Sequence, residues 1–304
     1  MGSNLSFIIL HYKNYLDTIS CVESIINTNM DNNSIFIVDN GSDDSSYEIL
    51  KQRYEKTKNI YLISNNKNLG YARGFNEGIK YAQKLFPDNF FVLLNNDTEI
   101  ISQDWNKIIS YKYEEYHFHV LGPDIINLDG THANPRKVRK YTFLSINFMI
   151  LKKYLEYFFL IIGIDIIEIV NKLKKSKIIK NNDNENISNF LIDKKNVELQ
   201  GSCLILSKKY IDEYKGLYDG TFLYFEESIL KYIIDRDNLC SVFTPELKIL
   251  HKEYGSTMHV VKTEKGRKIF SIKHGIYSRK QLRNMIVRDK LNCVLMRLRI
   301  KIKN

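Results

Sequence analysis

The sequence predicts an α/β fold: a mostly parallel central sheet flanked by helices, with a helical insert and a basic helical C-terminal tail. Three observations predict it. Over the first hundred residues, short apolar runs alternate with segments of helical period. The stretch 136–180 mixes lysine pairs with bulky apolar residues. The segment from Lys262 to Asn304 carries fourteen Lys or Arg against two acids, a net +12 on a chain whose total is +10.

The elements follow in order. Residues 5–10 (LSFIIL) are an apolar run of strand length, and in 15–26 the positions Ile19, Val22, Ile25 and Ile26 have helical spacing. Residues 34–38 (SIFIV) form a second strand, ended by the turn cluster Asp39-Asn40-Gly41-Ser42. Asp44 or Ser45 caps a helix running through Lys56. Residues 60–64 are a third strand, 70–86 a helix and 90–94 (FFVLL) a fourth strand. Strand and helix alternating at this spacing predict a parallel sheet covered on both faces. The stretch 136–180 reads as a long helix or helical pair, and 181–189 (NNDNENISN) as a polar loop. A strand at 199–206 and a helix near 208–214 follow. Residues 222–234 hold an acidic pair at a helix start, and from Thr263 the chain is helical and basic.

A chain of 304 residues with 44% apolar and 26% charged residues suits one large domain or two small ones. Outside the tail the net charge is near −2, so an anionic surface is a partner for the tail alone. Cys21, Cys203, Cys240 and Cys293 have neither metal-ligand nor redox spacing and fit buried thiols in a reducing cytosol. The first residues lack a signal-peptide pattern. Met1 to Ser6 match the myristoylation pattern, which chance explains because Leu5 onward belongs to the core. The apolar run 157–164 is too short to span a bilayer. The expected location is cytoplasmic.

Ligands of open α/β sheets bind outside the carboxyl ends of the strands, and Asp39 and Asp97 both stand just past such ends. Asp39, with Asn40 beside it, is either a nucleoside-binding carboxylate or a turn-forming residue. The Asn95-Asn96-Asp97 turn offers a hard oxygen ligand for Mg²⁺ or Mn²⁺ shared with phosphate, or else caps the next element. Gly70 to Asn76 opens a helix where close backbone approach and Arg73 favour phosphate; it has neither a dinucleotide-binding nor a P-loop pattern. Glu226-Glu227 follow aromatic residues and suit a general base, or simply a favourable first helical turn. His251 is either a divalent-metal ligand or structural. His259 and His274 have no comparable setting.

Together these segments resemble the family 2 glycosyltransferases of GT-A fold, the nucleotide-diphospho-sugar transferase type, and within them the bacterial rhamnosyltransferase-like branch. The resemblance covers roughly residues 5–290. It rests on five segments in order: IVDNGSDDSS (37–46), NLGYARGFN (68–76), LLNNDT (93–98), GSCLIL to FLYFEE (201–227) and HKEYGS (251–256). It implies that Asp39, Asn40, Arg73, Asn76, Asn95, Asn96 and Asp97 bind the donor. It implies that Asp97 and His251 hold a divalent cation, and that Glu227, with Glu226, supplies the base of an inverting transfer. Asn95 replaces the first Asp of the metal element, Glu227 replaces an Asp, and Ile229 stands where a further acid is common.

The resemblance also implies a division: residues 1–262 as the catalytic domain, with a nucleotide-binding half (1–100) and an acceptor half (101–262) containing the insert at about 136–195. Residues 263–304 are then a basic helical extension. The implied partners are a nucleotide-sugar donor and a saccharide or polyprenyl-linked saccharide acceptor in bacterial surface polysaccharide synthesis. The tail suits anionic lipid at the inner face of the cytoplasmic membrane, or else packs on the catalytic domain with a solvated basic face. Residues 143–170 are a homodimer interface or an acceptor cover. The alternative function is a non-catalytic sugar-nucleotide binder or assembly partner. No nucleic acid is expected, because the tail has few aromatics beyond Tyr277 and matches no recognition module.

Overall fold

The structure, a computed structural model, describes residues 4–28, 33–165, 190–252, 261 and 263–303. The chain divides into two compact units: Met1–Val138, Asn182–Asp219 and Glu226–Val260 form the first; Arg139–Asn181, Gly220–Phe225 and Val261–Asn304 form the second. The expected polar loop at 181–189, the distal part of the apolar stretch (166–180), His259, and residues 253–256 of the HKEYGS segment lie outside the described residues.

The first unit is built on one sheet. Its strands are β1 (Leu5–His11), β2 (Ser34–Asp39), β3 (Ile60–Ser64), β4 (Phe90–Asn95), β5 (Thr98–Ile100), β6 (Val120–Asn127), β7 (Lys194–Lys195), β8 (Cys203–Leu206) and β9 (Ser241–His251). The order is β3-β2-β1-β4-β8-β6-β9-β5, with β7 paired to β9. The β3-β2-β1-β4 half is wholly parallel, and β8 enters antiparallel between β4 and β6.

Alternation along the strands explains why these runs are apolar throughout. Phe7 and Ile9 of β1 pack with α1 (Tyr15–Ile26), α2 (Ser46–Tyr54) and α4 (Trp105–Tyr116) through Val22, Leu50 and Trp105. Ile8, one residue out of phase, packs on the other face with Phe75 and Ile79 of α3 (Tyr71–Leu85), Tyr210 of α6 (Lys208–Tyr214) and Leu230 of α7 (Glu226–Arg236). Gly78 lets α3 lie close on the sheet: a Cβ there would stand 2.8 Å from a Val38 methyl.

Two details depart from the sequence reading. The strand expected at 199–206 begins only at Cys203. Upstream, side chains take the backbone donors: Gln200 N–H donates to Asn134 Oδ1 (2.8 Å) and Ser202 N–H to Gln200 Oε1 (2.5 Å). The helix expected to run through Lys56 ends at Tyr54. Asp44 caps it from outside, accepting the Ser46 N–H at 3.0 Å.

The second unit pairs α5 (Phe143–Ile161) with α8 (Glu264–Lys303). Ile146, Ile150 and Leu160 of α5 and Ile272, Ile276, Leu282, Met285 and Ile286 of α8 are buried. Thr142 and Ser145 form a capping box at the start of α5. The segment 220–225 belongs to this unit. Leu223 O accepts from Ser278 Oγ (3.2 Å), and Phe225 lies under the Arg279 guanidinium and against Tyr141. Among the described residues no helix is long and apolar enough to cross a membrane.

Candidate active site

The parallel strands bring their carboxyl ends into one row. His11 at the end of β1 is in register with Asp39 at the end of β2, and Leu10 with Asn95. Asp39 is buried. Both its oxygens stand 3.3 Å from the Ser42 N–H, and one stands 3.5 Å from Ser64 Oγ. Burial raises its pKa, and the bonds from Ser42 and Ser64 oppose the rise. His11, also buried, contacts Thr18 Oγ1 through Nδ1 (2.7 Å) and Ser46 Oγ through Nε2 (3.0 Å), with Asp39 Oδ1 at 3.9 Å. Burial lowers its pKa to about 4 against the opposing charge of Asp44, so the imidazole is neutral at pH 7.

The amides near this row bind the chain itself. Asn40 donates to Gly70 O (3.0 Å) and accepts the Leu69 N–H (3.0 Å), which seats the glycine loop ahead of α3. Asn76 is bonded twice to Leu217, through N–H···Oδ1 and Nδ2–H···O, each 2.8 Å. Arg73 Nε donates to Asp219 O at 2.8 Å. Asn96 Nδ2 reaches Asn14 O and Thr18 Oγ1, both at 3.2 Å.

Asp97 lies in the turn between β4 and β5, and the β5–β9 pairing delivers its neighbour. Thr98 is in register with His251, and the Lys252 N–H donates to Asp97 O at 2.9 Å. This places His251 Nε2 3.5 Å from Asp97 Oδ1. Both residues are buried, and among the described residues His251 Nδ1 has no hydrogen-bond partner. Lys252 Nζ closes the flank on Glu99 (2.7 Å) and Asp17 (3.2 Å). Among the described residues no group of three or more His, Cys, Asp or Glu is arranged to hold a metal. One carboxylate, and one imidazole with an orphaned buried nitrogen, fit a divalent cation that takes its remaining ligands from phosphate and water.

Glu226 and Glu227 occupy the first turn of α7. Glu227 Oε1 accepts the Gly201 N–H at 3.3 Å and lies 3.3 Å from Arg136 Nη1. The Gly201 carbonyl accepts the Tyr71 hydroxyl in a short bond. Burial, reinforced by the charges of Glu227 and Glu226, pushes the Tyr71 phenol well up, so it stays a neutral donor. A Cβ on Gly201 would meet Tyr71 Oη at 2.8 Å, so glycine is what admits both groups. The Arg136 N–H donates to Glu198 O (2.9 Å), and nearby Asn134 bridges Pro123 O and the Gln200 N–H. Tyr71, Leu217, Tyr218, Leu230 and the two glutamates line a small cavity.

Sequence reasoning missed His11, Tyr71, Arg136 and Lys252. Tyr71 and Lys252 lie inside quoted motifs, and His11 ends a legible strand. Arg136 has no local signal, because only the folded chain brings it to Glu227.

A carboxylate-lined row at the ends of a mostly parallel sheet, continued by antiparallel strands and helices, is the GT-A type of nucleotide-diphospho-sugar transferase fold. Residues 6–214 match the model of glycosyl transferase family 2, and the chain belongs to that family. An uncharacterised glycosyltransferase of Haemophilus influenzae is 29% identical over 121 residues, 39% of this chain and 35% of that protein. The low-salt glycan biosynthesis hexosyltransferase Agl10 of Haloferax volcanii is 23% identical over 240 residues, 79% of this chain and 64% of that protein. The matched regions thus span between a third and two thirds of these relatives. Among solved structures, GalNAc-T7 with UDP, GalNAc and Mn²⁺ superposes with a TM-score of 0.53 at 11% identity, over 89% of this chain and 47% of that one.

Proposed function

We propose that the chain is an inverting glycosyltransferase that moves a sugar from a nucleoside-diphosphate donor to a saccharide or lipid-linked saccharide. We place it in bacterial surface polysaccharide synthesis, in the rhamnosyltransferase-like branch of the family. The observation that carries the reading is the buried Asp97–His251 pair, set by the β5–β9 register in the same strand-end row as Asp39.

In this reading Asp39 accepts from the nucleoside, and Asn95 to Asp97 form the turn beside the diphosphate. Arg73, Asn76 and Asn40 act by holding the loops at 65–70 and 217–219. Asp97 and His251 are the residues that would hold Mn²⁺ or Mg²⁺, as the solved relative holds Mn²⁺; the bound cation supplies positive charge that stabilises the leaving diphosphate. Glu227 takes the proton of an acceptor hydroxyl while that oxygen bonds to the anomeric carbon and the bond to the diphosphate breaks. Gly201 and Arg136 hold Oε1, which assigns the proton to Oε2. Glu226 shares the acidic first turn. The net positive charge of the tail supports a position at the inner face of the cytoplasmic membrane.

A panel of dTDP-rhamnose, UDP-galactose and UDP-N-acetylglucosamine, assayed with Mn²⁺ for nucleoside-diphosphate release, tests the reading. Release from at least one donor, enhanced by acceptor, is the expected result. Calorimetric donor binding without release would replace it with the non-catalytic binder, the reading that Ile229 and the longer Glu227 favour.

A further inference from the structure

We infer that the outward face of α5 inserts into anionic bilayers, with basic residues of α8 as its rim. α5 is mostly apolar. Its nineteen residues carry only three charges, Lys152, Lys153 and Glu156. Ile146, Ile150 and Leu160 point into the second unit and are buried. On the other side Leu144, Phe148, Leu151, Leu155, Phe158 and, at the C-cap, Ile162 are each at least half exposed; Leu144 reaches 78% and Phe148 70%.

The spacing of four and three residues keeps these six side chains on one face, along about 27 Å at 1.5 Å per residue. A surface helix ordinarily turns its polar stripe outward. Here the outward stripe is apolar, and contiguous patches of this kind on soluble proteins mark interaction surfaces. No described helix qualifies as a membrane span, so the geometry is that of a helix lying in the interface plane.

Charge selects the occupant. α8 carries thirteen Lys or Arg against two acids. Lys273 and Lys280 lie over the rings of Tyr157 and Tyr154 at 5.8 and 5.4 Å, so cationic groups border α5 along its flank. Tyr154 is itself exposed, in the amphipathic setting that suits the headgroup level. Farther along α8, Arg288 and Lys290 are exposed beside Val287, Leu291, Val294 and Leu295. A second copy on this face would bring two strongly cationic helices together, whereas an anionic lipid surface complements them.

The inference deepens the membrane placement proposed above and rests on it, but it does not depend on sugar transfer. Flotation of the full chain with phosphatidylcholine vesicles, with and without phosphatidylglycerol, tests both. The expected result is flotation that requires phosphatidylglycerol. The exposed triple variant Phe148→Gln, Leu155→Gln, Phe158→Gln should lose it by at least about tenfold, with an unchanged circular dichroism spectrum. Lys273→Gln and Lys280→Gln should each weaken it by about fivefold. Wild-type protein that ignores phosphatidylglycerol would overturn the membrane placement as well. Wild-type flotation matched by the triple variant would overturn the α5 assignment alone. So would a wild-type dimer in sedimentation that the triple variant dissociates. A Phe148→Trp variant gives an independent reading: its emission should shift to the blue on phosphatidylglycerol vesicles, and unchanged emission would count against insertion.

Discussion

Asp97 and Glu227 are both carboxylates of the sheet unit, but the fold holds them by different means. Asp97 is placed by backbone. It sits in the turn between two strands, the Lys252 N–H binds its carbonyl, and the strand pairing brings His251 to it. Glu227 is placed by a helix start and by two contacts to its carboxylate: the first turn of α7, the Arg136 guanidinium and the Gly201 N–H. It follows two left-handed non-glycine residues, Tyr224 (φ 69°) and Phe225 (φ 77°), a conformation costing on the order of 1 kcal/mol or more per residue. Asp97 is thus fixed by strand pairing, whereas the carboxylate of Glu227 rests on one arginine and one backbone amide.

Asp97→Ala should reduce metal-dependent transfer by at least about 10³-fold while leaving the thermal midpoint near that of wild type, since backbone bonds hold the turn. Turnover within tenfold of wild type, with undiminished metal dependence, would remove Asp97 from the site. Glu227→Gln should lower kcat by about 10²–10³-fold with donor affinity unchanged by calorimetry. A fall in donor affinity instead would make Glu227 a binding residue.

His11 in the strand-end row makes stability depend on pH. Its pKa falls from 6.5 to about 4 on folding, so between those values the unfolded chain binds a proton that the native chain refuses. Stability should therefore drop by about 3 kcal/mol as pH falls through that window, and by no more from this group below pH 4. Asp39, raised by burial, works in the opposite sense: its contribution is lost as pH rises from 3.8 through its folded value. Urea unfolding of wild type and His11→Gln across this range isolates the histidine; equal pH slopes would refute its share. The smallest effect belongs to the side-chain clamp. Arg136→Met should lower kcat by about tenfold with the donor KM unchanged, and Arg136→Lys should recover most of the loss. No recovery by Lys, or a change in KM alone, would show that Arg136 does not position Glu227.

Legibility followed locality. β1 to β4 and α1 to α3 were readable because each carries its own apolar period and ends in its own turn residues. β5 and β7 have three and two residues and exist only through pairing with β9, so no local pattern announces them. The late start of β8 reflects Asn134 and Gln200 taking backbone donors, a competition invisible in a list of apolar residues. Asp39 and Asp97 were legible as candidates because both follow buried runs. His251 by itself was legible only as a lone histidine after a strand and gained a metal role through the family resemblance, and Arg136 was not legible at all.

The alternation of short apolar runs and helical periods, together with turn residues at strand ends, was enough to determine the α/β class and the row of candidate carboxylates. The underlying forces, burial of one period and chain reversal at polar turns, act over a few residues and are written in them. Tertiary structure alone decided which distant residues meet: Asp97 with His251 across β5 and β9, Glu227 with Arg136 and Gly201, and an apolar face of α5 turned outward beside the lysines of α8. Those meetings depend on strand register and helix packing between segments far apart in the chain, which no single segment encodes.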